Sequence, residues 1–96
     1  MEKLNFKKLS FYKNKRILIT GNTGFKGSWL TIWLLNNGAK VYGISKDVPT
    51  NPSLFTKAKL NKKIKTYFFD IKNIKKLSKT IDKIKPHIIF HLAAQS

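Results

Sequence analysis

The chain is 96 residues long, with 20 Lys and Arg against 4 Asp and Glu, a formal net charge of +16 and no cysteine. That length holds one small domain or one part of a larger one, because independent domains most often run to roughly 100–150 residues, so a two-domain enzyme does not fit. The lack of cysteine excludes a disulfide framework and any cysteine-ligated zinc or iron–sulfur site.

Met1 to Arg16 is basic but lacks the apolar run of a secretory signal, and the richest apolar stretch, Trp29 to Leu35, is interrupted by Thr31. A membrane span needs roughly 20 apolar residues, so a soluble, cytoplasmic chain with no membrane partner is expected. The 42% hydrophobic content is too high for a disordered basic tail. Of the 20 basic residues only Arg16 is Arg, whereas readers of phosphates and bases favour the bidentate guanidinium. Lys, Asn and Ile are all abundant, as when AT-rich codons fill permissive surface positions. The charge therefore reads as a solvated surface, and nucleic acid is not an expected partner.

In chain order, residues 1–14 read as a basic N-terminal extension. Lys15 to Thr20 is a short run, rich in branched side chains, that stops at Gly21, as a buried strand does. Ser28 to Asn37 reads as a helix with Trp29, Ile32, Trp33 and Leu35 or Asn36 at helical spacing; its tryptophans should pack against a sheet, and Gly38 sits where a left-handed cap would end it. Val41 to Ile44 is a second strand, and Asp47 to Pro52, with two prolines and Asn51, is a loop. Ser53 caps a short helix through Leu60, and Lys65 to Phe69 is a third strand ending at Asp70. Asn73 caps a helix over Ile74 to Lys85, with Ile74, Leu77, Ile81 and Ile84 on one face and Pro86 as its stop. Asp82 should pair with neighbouring lysines on that helix. His87 to Leu92 is the fourth strand, expected to leave an apolar edge open.

Short apolar strands alternating with amphipathic helices indicate βαβ units and a parallel sheet. The expected fold is α/β, a Rossmann-like doubly wound parallel sheet that is incomplete, with about four strands and three helices. Residues 15–96 would form the amino-terminal part of an NAD(P)-binding domain, truncated after the fourth strand.

The segment richest in information is Thr20-Gly21-Asn22-Thr23-Gly24-Phe25-Lys26-Gly27-Ser28, between the first strand and the first helix. Gly21 permits the tight turn, Gly24 lets the backbone approach a pyrophosphate and Gly27 allows close helix–strand packing. The pyrophosphate would sit on free N–H groups at the helix start. Glycines mark many turns, but a strand before, a helix after and a second strand at the expected distance supply the confirming context.

The Gly-x-x-Gly-x-x-Gly spacing resembles the extended short-chain dehydrogenase/reductase superfamily. Within it, Gly21 to Leu30, Pro49 to Phe55 and Phe90 to Gln95 look like the CDP-glucose 4,6-dehydratase family. The resemblance runs from about Phe11 to Ser96 and covers only the amino-terminal part of that family's fold. It implies bound NAD in an internal redox cycle: oxidation at C4 of the sugar of CDP-glucose, loss of water across C5 and C6, and hydride return at C6. The product is a 4-keto-6-deoxy sugar nucleotide, a precursor of deoxy sugars in O-antigen and other surface polysaccharide. Carried over by position, Thr23, Gly24, Phe25, Lys26 and Gly27 would meet the pyrophosphate, Asp70 and Ile71 the adenine, and Ala93, Ala94 and Gln95 the nicotinamide side. A homo-oligomeric full-length enzyme is implied.

For the ribose, an acidic residue is expected roughly 20 positions after the glycines, and Asp47 lies 20 beyond Gly27, while the strand end carries Ser45 and Lys46. NAD is the expected cofactor, although Lys46 could tolerate a 2′-phosphate; the alternative for Asp47 is a loop carboxylate in a turn hydrogen bond. No catalytic residue is assigned. Tyr42 and Lys46 have the four-residue spacing of the superfamily's acid–base pair, but on a strand that spacing spans about 13 Å rather than one helical turn. The family's own pair belongs beyond the fourth strand, so these 96 residues are expected to be inactive alone. His87 and His91 read as structural for the same geometric reason, and no metal is expected. Two other readings remain: a stand-alone basic binding module, and another sugar-nucleotide epimerase or dehydratase of the superfamily.

Overall fold

Ile17, Leu18 and Ile19 leave no surface accessible to solvent, and because they lie on a strand, where successive side chains point to opposite faces, both faces of it are covered. Each such side chain contributes about 1.5–3 kcal/mol of burial, which makes this segment the centre of the fold. The computed structural model describes residues 11–47 and 53–93. Along them run β1 (Arg16–Thr20), α1 (Phe25–Asn36), β2 (Lys40–Ser45), α2 (Leu54–Lys57), α3 (Leu60–Lys63), β3 (Lys65–Phe68), α4 (Ile74–Ile84) and β4 (Ile88–His91). All strand pairs are parallel, in the order β3-β2-β1-β4. Leu18 stands between Tyr42 of β2 and Ile89 of β4, and Gly43 of β2 faces Thr66 of β3.

Alternation along β1 divides the core into two. Ile17 and Ile19 meet Leu34 of α1, Phe55 of α2 and Leu60 of α3, while Leu18 and Ile44 meet Ile84 of α4, with Leu77 and Ile81 beside it. Helices thus cover both faces of a parallel sheet, the doubly wound Rossmann-like arrangement expected from the pattern. One expected helix becomes two: Lys59 takes a left-handed φ of 55° between α2 and α3. Phe55 and Leu60 both enter the same cluster, yet in a continuous helix they would point roughly 140° apart at 3.6 residues per turn. The break allows both to turn inward.

The first helix differs most from expectation. It starts at Phe25 rather than Ser28, and its sheet-facing residues are Gly27, Ser28, Thr31 and Leu34. The tryptophans do not pack against the sheet: Trp29 is 56% and Trp33 43% exposed, with Trp33 edge-on to Tyr12 at 5.4 Å. The physical cause is the closeness of the helix. Ser28 Oγ donates to the Asn22 carbonyl at 3.2 Å and Thr31 Oγ1 to the Gly27 carbonyl at 2.7 Å, a seat that leaves room only for small side chains. Gly38, at φ +79°, follows the helix as expected.

In α4 the Asn73 cap forms, its Oδ1 accepting from the Lys76 N–H at 3.1 Å. Leu77, Ile81 and Ile84 cover Leu18 and Ile44 between them, and Ile74 stays outside that cluster, 68% exposed. Asp82 makes no ion pair with any described residue; the pair found among them is Lys46 with Asp70. The single arginine serves the fold. Arg16 Nε donates to the carbonyls of Ile84 and Lys85 at 3.0 and 2.9 Å, closing the C-terminus of α4, whose last carbonyls have no intrahelical partner. His87 is tied to the same residue: its N–H donates to the Arg16 carbonyl at 2.7 Å and its Nδ1 accepts from the Arg16 N–H at 2.9 Å. Among the described strands β4 pairs with β1 alone, and Ile89 and Leu92 are exposed.

Candidate functional site

The carboxyl ends of all four strands converge on one cleft of about 330 Å³, on the side where parallel α/β sheets bind ligands. Of the residues singled out from the sequence, Gly21, Thr23, Ser45, Lys46, Asp47, Asp70, Ile71 and Ala93 line it. Ala94 and Gln95 lie outside the described residues, as does the loop from Val48 to Pro52. Strand order reverses direction between β1 and β4, and Gly21 meets Ala93 at that point. Gly21 has φ +78°, and a side chain there would come within 2.8 Å of the Ala93 nitrogen. It is glycine for the fold as well as for the turn.

Gly24 and Gly27 contrast sharply. A Cβ on Gly27 would collide with the Gly21 carbonyl and approach the Asn22 Cα to 2.7 Å, so this glycine sets the distance between helix and turn. Gly24 is unlike it: its φ is an ordinary −73°, and a Cβ there would meet nothing closer than the Gly21 oxygen at 3.6 Å. Nothing in the described protein requires a glycine at 24. Gly24 also occupies the N-cap of α1, where no side chain caps the helix and no acidic residue stands in the first turn. The N–H groups of Phe25, Lys26 and Gly27 therefore lack intrahelical acceptors and carry the positive end of the helix dipole. Lys26 lies exposed in that same turn. A cradle open to solvent, uncapped and lined by backbone donors fits a phosphate group.

Hydroxyl groups tie the turn to β2. Thr23 Oγ1 and Ser45 Oγ are 2.7 Å apart, and Ser45 Oγ donates to the Asp47 carbonyl at 3.1 Å. With Thr23 donating to Ser45, each hydroxyl hydrogen is used once. Asp70, beyond β3, accepts the Lys72 N–H at 2.9 Å through Oδ1 and turns Oδ2 toward Lys46 Nζ at 4.0 Å. On the β4 side, buried Thr20 accepts the N–H groups of Leu92 and Ala93 at 3.1 and 3.3 Å. Its hydroxyl hydrogen is then left for His91 Nδ1, 2.7 Å away. His91 thus helps fix the segment that leads to Ala93. Tyr42 packs beside Leu18 and Ile44 in the middle of β2, whereas Lys46 follows the strand's end, so the two do not form a pair.

Asn22, Thr66 and Gly43 form a structural rivet that the motif alone does not reveal. The Asn22 side chain is fully buried, and its Nδ2 donates to Thr66 Oγ1 at 3.0 Å across β2. It lies where a Gly43 side chain would be. The visible signal was a glycine inside a strand, which marks a close approach of other atoms. Asn22 Oδ1 is buried without a partner, a polar cost of about 1–3 kcal/mol. Gly43→Ala should therefore lower the urea midpoint of unfolding strongly in the native background but only slightly beside Asn22→Gly. Equal losses in both backgrounds would refute the rivet, because contacting residues should couple.

Residues 18–96 match the family model described as GDP-mannose 4,6 dehydratase. The chain is 48% identical over 86 residues to CDP-glucose 4,6-dehydratase of Salmonella typhimurium, covering 90% of this chain and 24% of that protein. It is 38% identical over 89 residues to GDP-mannose 4,6 dehydratase 2 of Arabidopsis thaliana, covering 85% and 24%. The chain thus spans about a quarter of the length of these curated relatives. Among solved structures, the epimerase Mth375 of Methanothermobacter thermautotrophicus is similar with a TM-score of 0.72 at 26% identity, covering 94% of this chain and 26% of that one. WbmH of Bordetella bronchiseptica, solved with NAD+, shares the fold with a TM-score of 0.66 at 23% identity, over 86% and 27%. No described helix is long and apolar enough to cross a membrane.

Proposed function

The chain belongs to the GDP-mannose 4,6 dehydratase family, and we propose that its residues form the NAD-binding part of a sugar-nucleotide 4,6-dehydratase that converts CDP-glucose to CDP-4-dehydro-6-deoxy-glucose and water. The observation that carries the cofactor reading is Gly24, a glycine for which the fold has no need, at the uncapped start of α1. An incoming phosphate explains it, since only the absence of a side chain lets the group reach the backbone N–H donors.

In this reading Thr23 to Gly27 hold the pyrophosphate, with Lys26 adding an exposed cation. Ser45 and Asp47 flank the ribose, Asp70 and Ile71 the adenine, and Ala93, Ala94 and Gln95 the nicotinamide side. When bound, the nicotinamide supplies the acceptor for hydride from the sugar C4 and the donor that returns it at C6. The residues of this chain bind and orient; none of them is assigned the proton transfers. The 96 residues are accordingly proposed to bind the dinucleotide without turning over sugar nucleotide. CDP-glucose is preferred as the substrate because identity is higher to the CDP-glucose enzyme, 48% against 38% for the GDP-mannose enzyme. A cytoplasmic location, homo-oligomeric assembly and a role in making polysaccharide precursors such as those of O-antigen belong to the same proposal.

Calorimetric titration of the chain with NAD tests it. Saturable binding, displaced by ADP-ribose, is expected. Absence of NAD binding, together with nucleic-acid binding that weakens steeply with salt, would replace this reading with that of a basic binding module.

A further inference from the structure

A second concavity lies away from the cleft. It is a groove of about 400 Å³ where the C-terminus of α4 meets the start of β1, and Arg16, Tyr42, Tyr67, Lys83 and Lys85 line it. Each charged side chain on its walls is a cation. The carboxylates of the described residues lie elsewhere: Asp47 and Asp70 line the cleft, and Asp82 makes no ion pair with a described residue.

Arg16 is fixed in place. Its single Nε hydrogen is shared between the Ile84 and Lys85 carbonyls, which anchors the guanidinium plane and offsets the negative end of the α4 dipole. Closing the helix needs no more than that hydrogen. The terminal Nη1 and Nη2 groups bond to no described residue, so a fork of donors is left oriented in advance, which spares a ligand the entropy of ordering it.

Tyr42 and Tyr67 stand on the same face of β2 and β3, half-buried against Leu18, Ile44 and Ile84. Neither hydroxyl has a partner among the described residues. Lys65 and Lys83 hold their ammonium groups 5.4 and 5.9 Å from the Tyr67 ring centroid. The ring attracts both, and no carboxylate offsets their mutual repulsion.

We propose that this groove binds the phosphate group of a small phosphorylated ligand. A carboxylate has two oxygens, enough for the guanidinium fork alone. A phosphate monoester brings three terminal oxygens and nearly two negative charges, so it can meet Arg16, an ammonium of Lys83 or Lys85 and a phenol hydroxyl together. The assignment stands apart from the dinucleotide reading, since no residue lines both concavities.

An NMR titration of the isotope-labelled 96-residue chain with phenyl phosphate tests the proposal. The Arg16 Nε–H and the backbone amides of Tyr67, Lys83 and Lys85 should shift saturably, and benzoate at equal ionic strength should bind at least about fivefold more weakly. Lys83→Glu should weaken phenyl phosphate at least about fivefold, and Tyr67→Phe, which keeps the ring and removes the hydroxyl, at least about twofold. Lys83 is exposed, so its variant should keep the native urea midpoint. Shifts confined to residues 23–27, shifts that sodium chloride reproduces at the same ionic strength, a smaller margin over benzoate, or a smaller loss in either variant each overturn the proposal.

Discussion

Replacing Gly27 with alanine should destabilise the chain by about 2 kcal/mol or more, near the upper end of what overpacking costs. The atoms in the way are the Gly21 carbonyl and the Asn22 Cα. Both are backbone, so no rotamer change makes room, and α1 has to lift from the turn. Lifting it strains the Ser28 to Asn22 hydrogen bond and the burial of Thr31 and Leu34. Alanine's helix propensity returns up to ~1 kcal/mol, which is less than the clash costs. Against a total stability of about 5–15 kcal/mol for a typical domain, the loss should be plain in the urea midpoint. A Gly27→Ala chain that unfolds at the native midpoint would show that the helix does not sit as closely as Gly27 implies.

Gly24→Ala should give the opposite pattern. The extended backbone at 24, φ −73° and ψ 174°, suits alanine, and the added methyl meets only ordinary contacts. Alanine is a poorer N-cap than glycine, but it also restricts the unfolded chain, so stability should change by less than ~1 kcal/mol. NAD affinity should fall roughly ten- to a hundredfold, because hydrogen bonds to a charged group are worth about 1.5–3 kcal/mol and the methyl holds the phosphate away from its donors. Native affinity in Gly24→Ala would remove the observation on which the cofactor reading stands. The pair of variants separates two jobs within one motif: Gly27 keeps helix and turn close, and Gly24 is proposed to admit the ligand.

The hydrophobic pattern located all four strands to within two residues at each end, because short apolar runs bounded by Gly, Asp or Pro have few alternatives in a parallel sheet. The glycine turn was legible too, since strand, turn and helix stood in the right sequence order. Trp29 and Trp33 were misread. Periodicity reports which residues share a helix face, and the face turned to the sheet was chosen by Gly27, which admits only small neighbours. His87 and His91 hydrogen-bond to Arg16 and Thr20, about seventy positions away, and no local pattern announces those partners.

The sequence by itself determined the element types, the parallel α/β class and the glycine-rich turn between β1 and α1, because these depend on alternation, helical spacing and glycine placement over a few neighbouring residues. Only the tertiary structure decided that Asn22 occupies the space left by Gly43, that Arg16 caps α4, and that Lys46 and Asp70 share one cleft. Those facts depend on strand order β3-β2-β1-β4, which places residues far apart in the chain side by side, and that order is a property of the assembled sheet rather than of any segment within it.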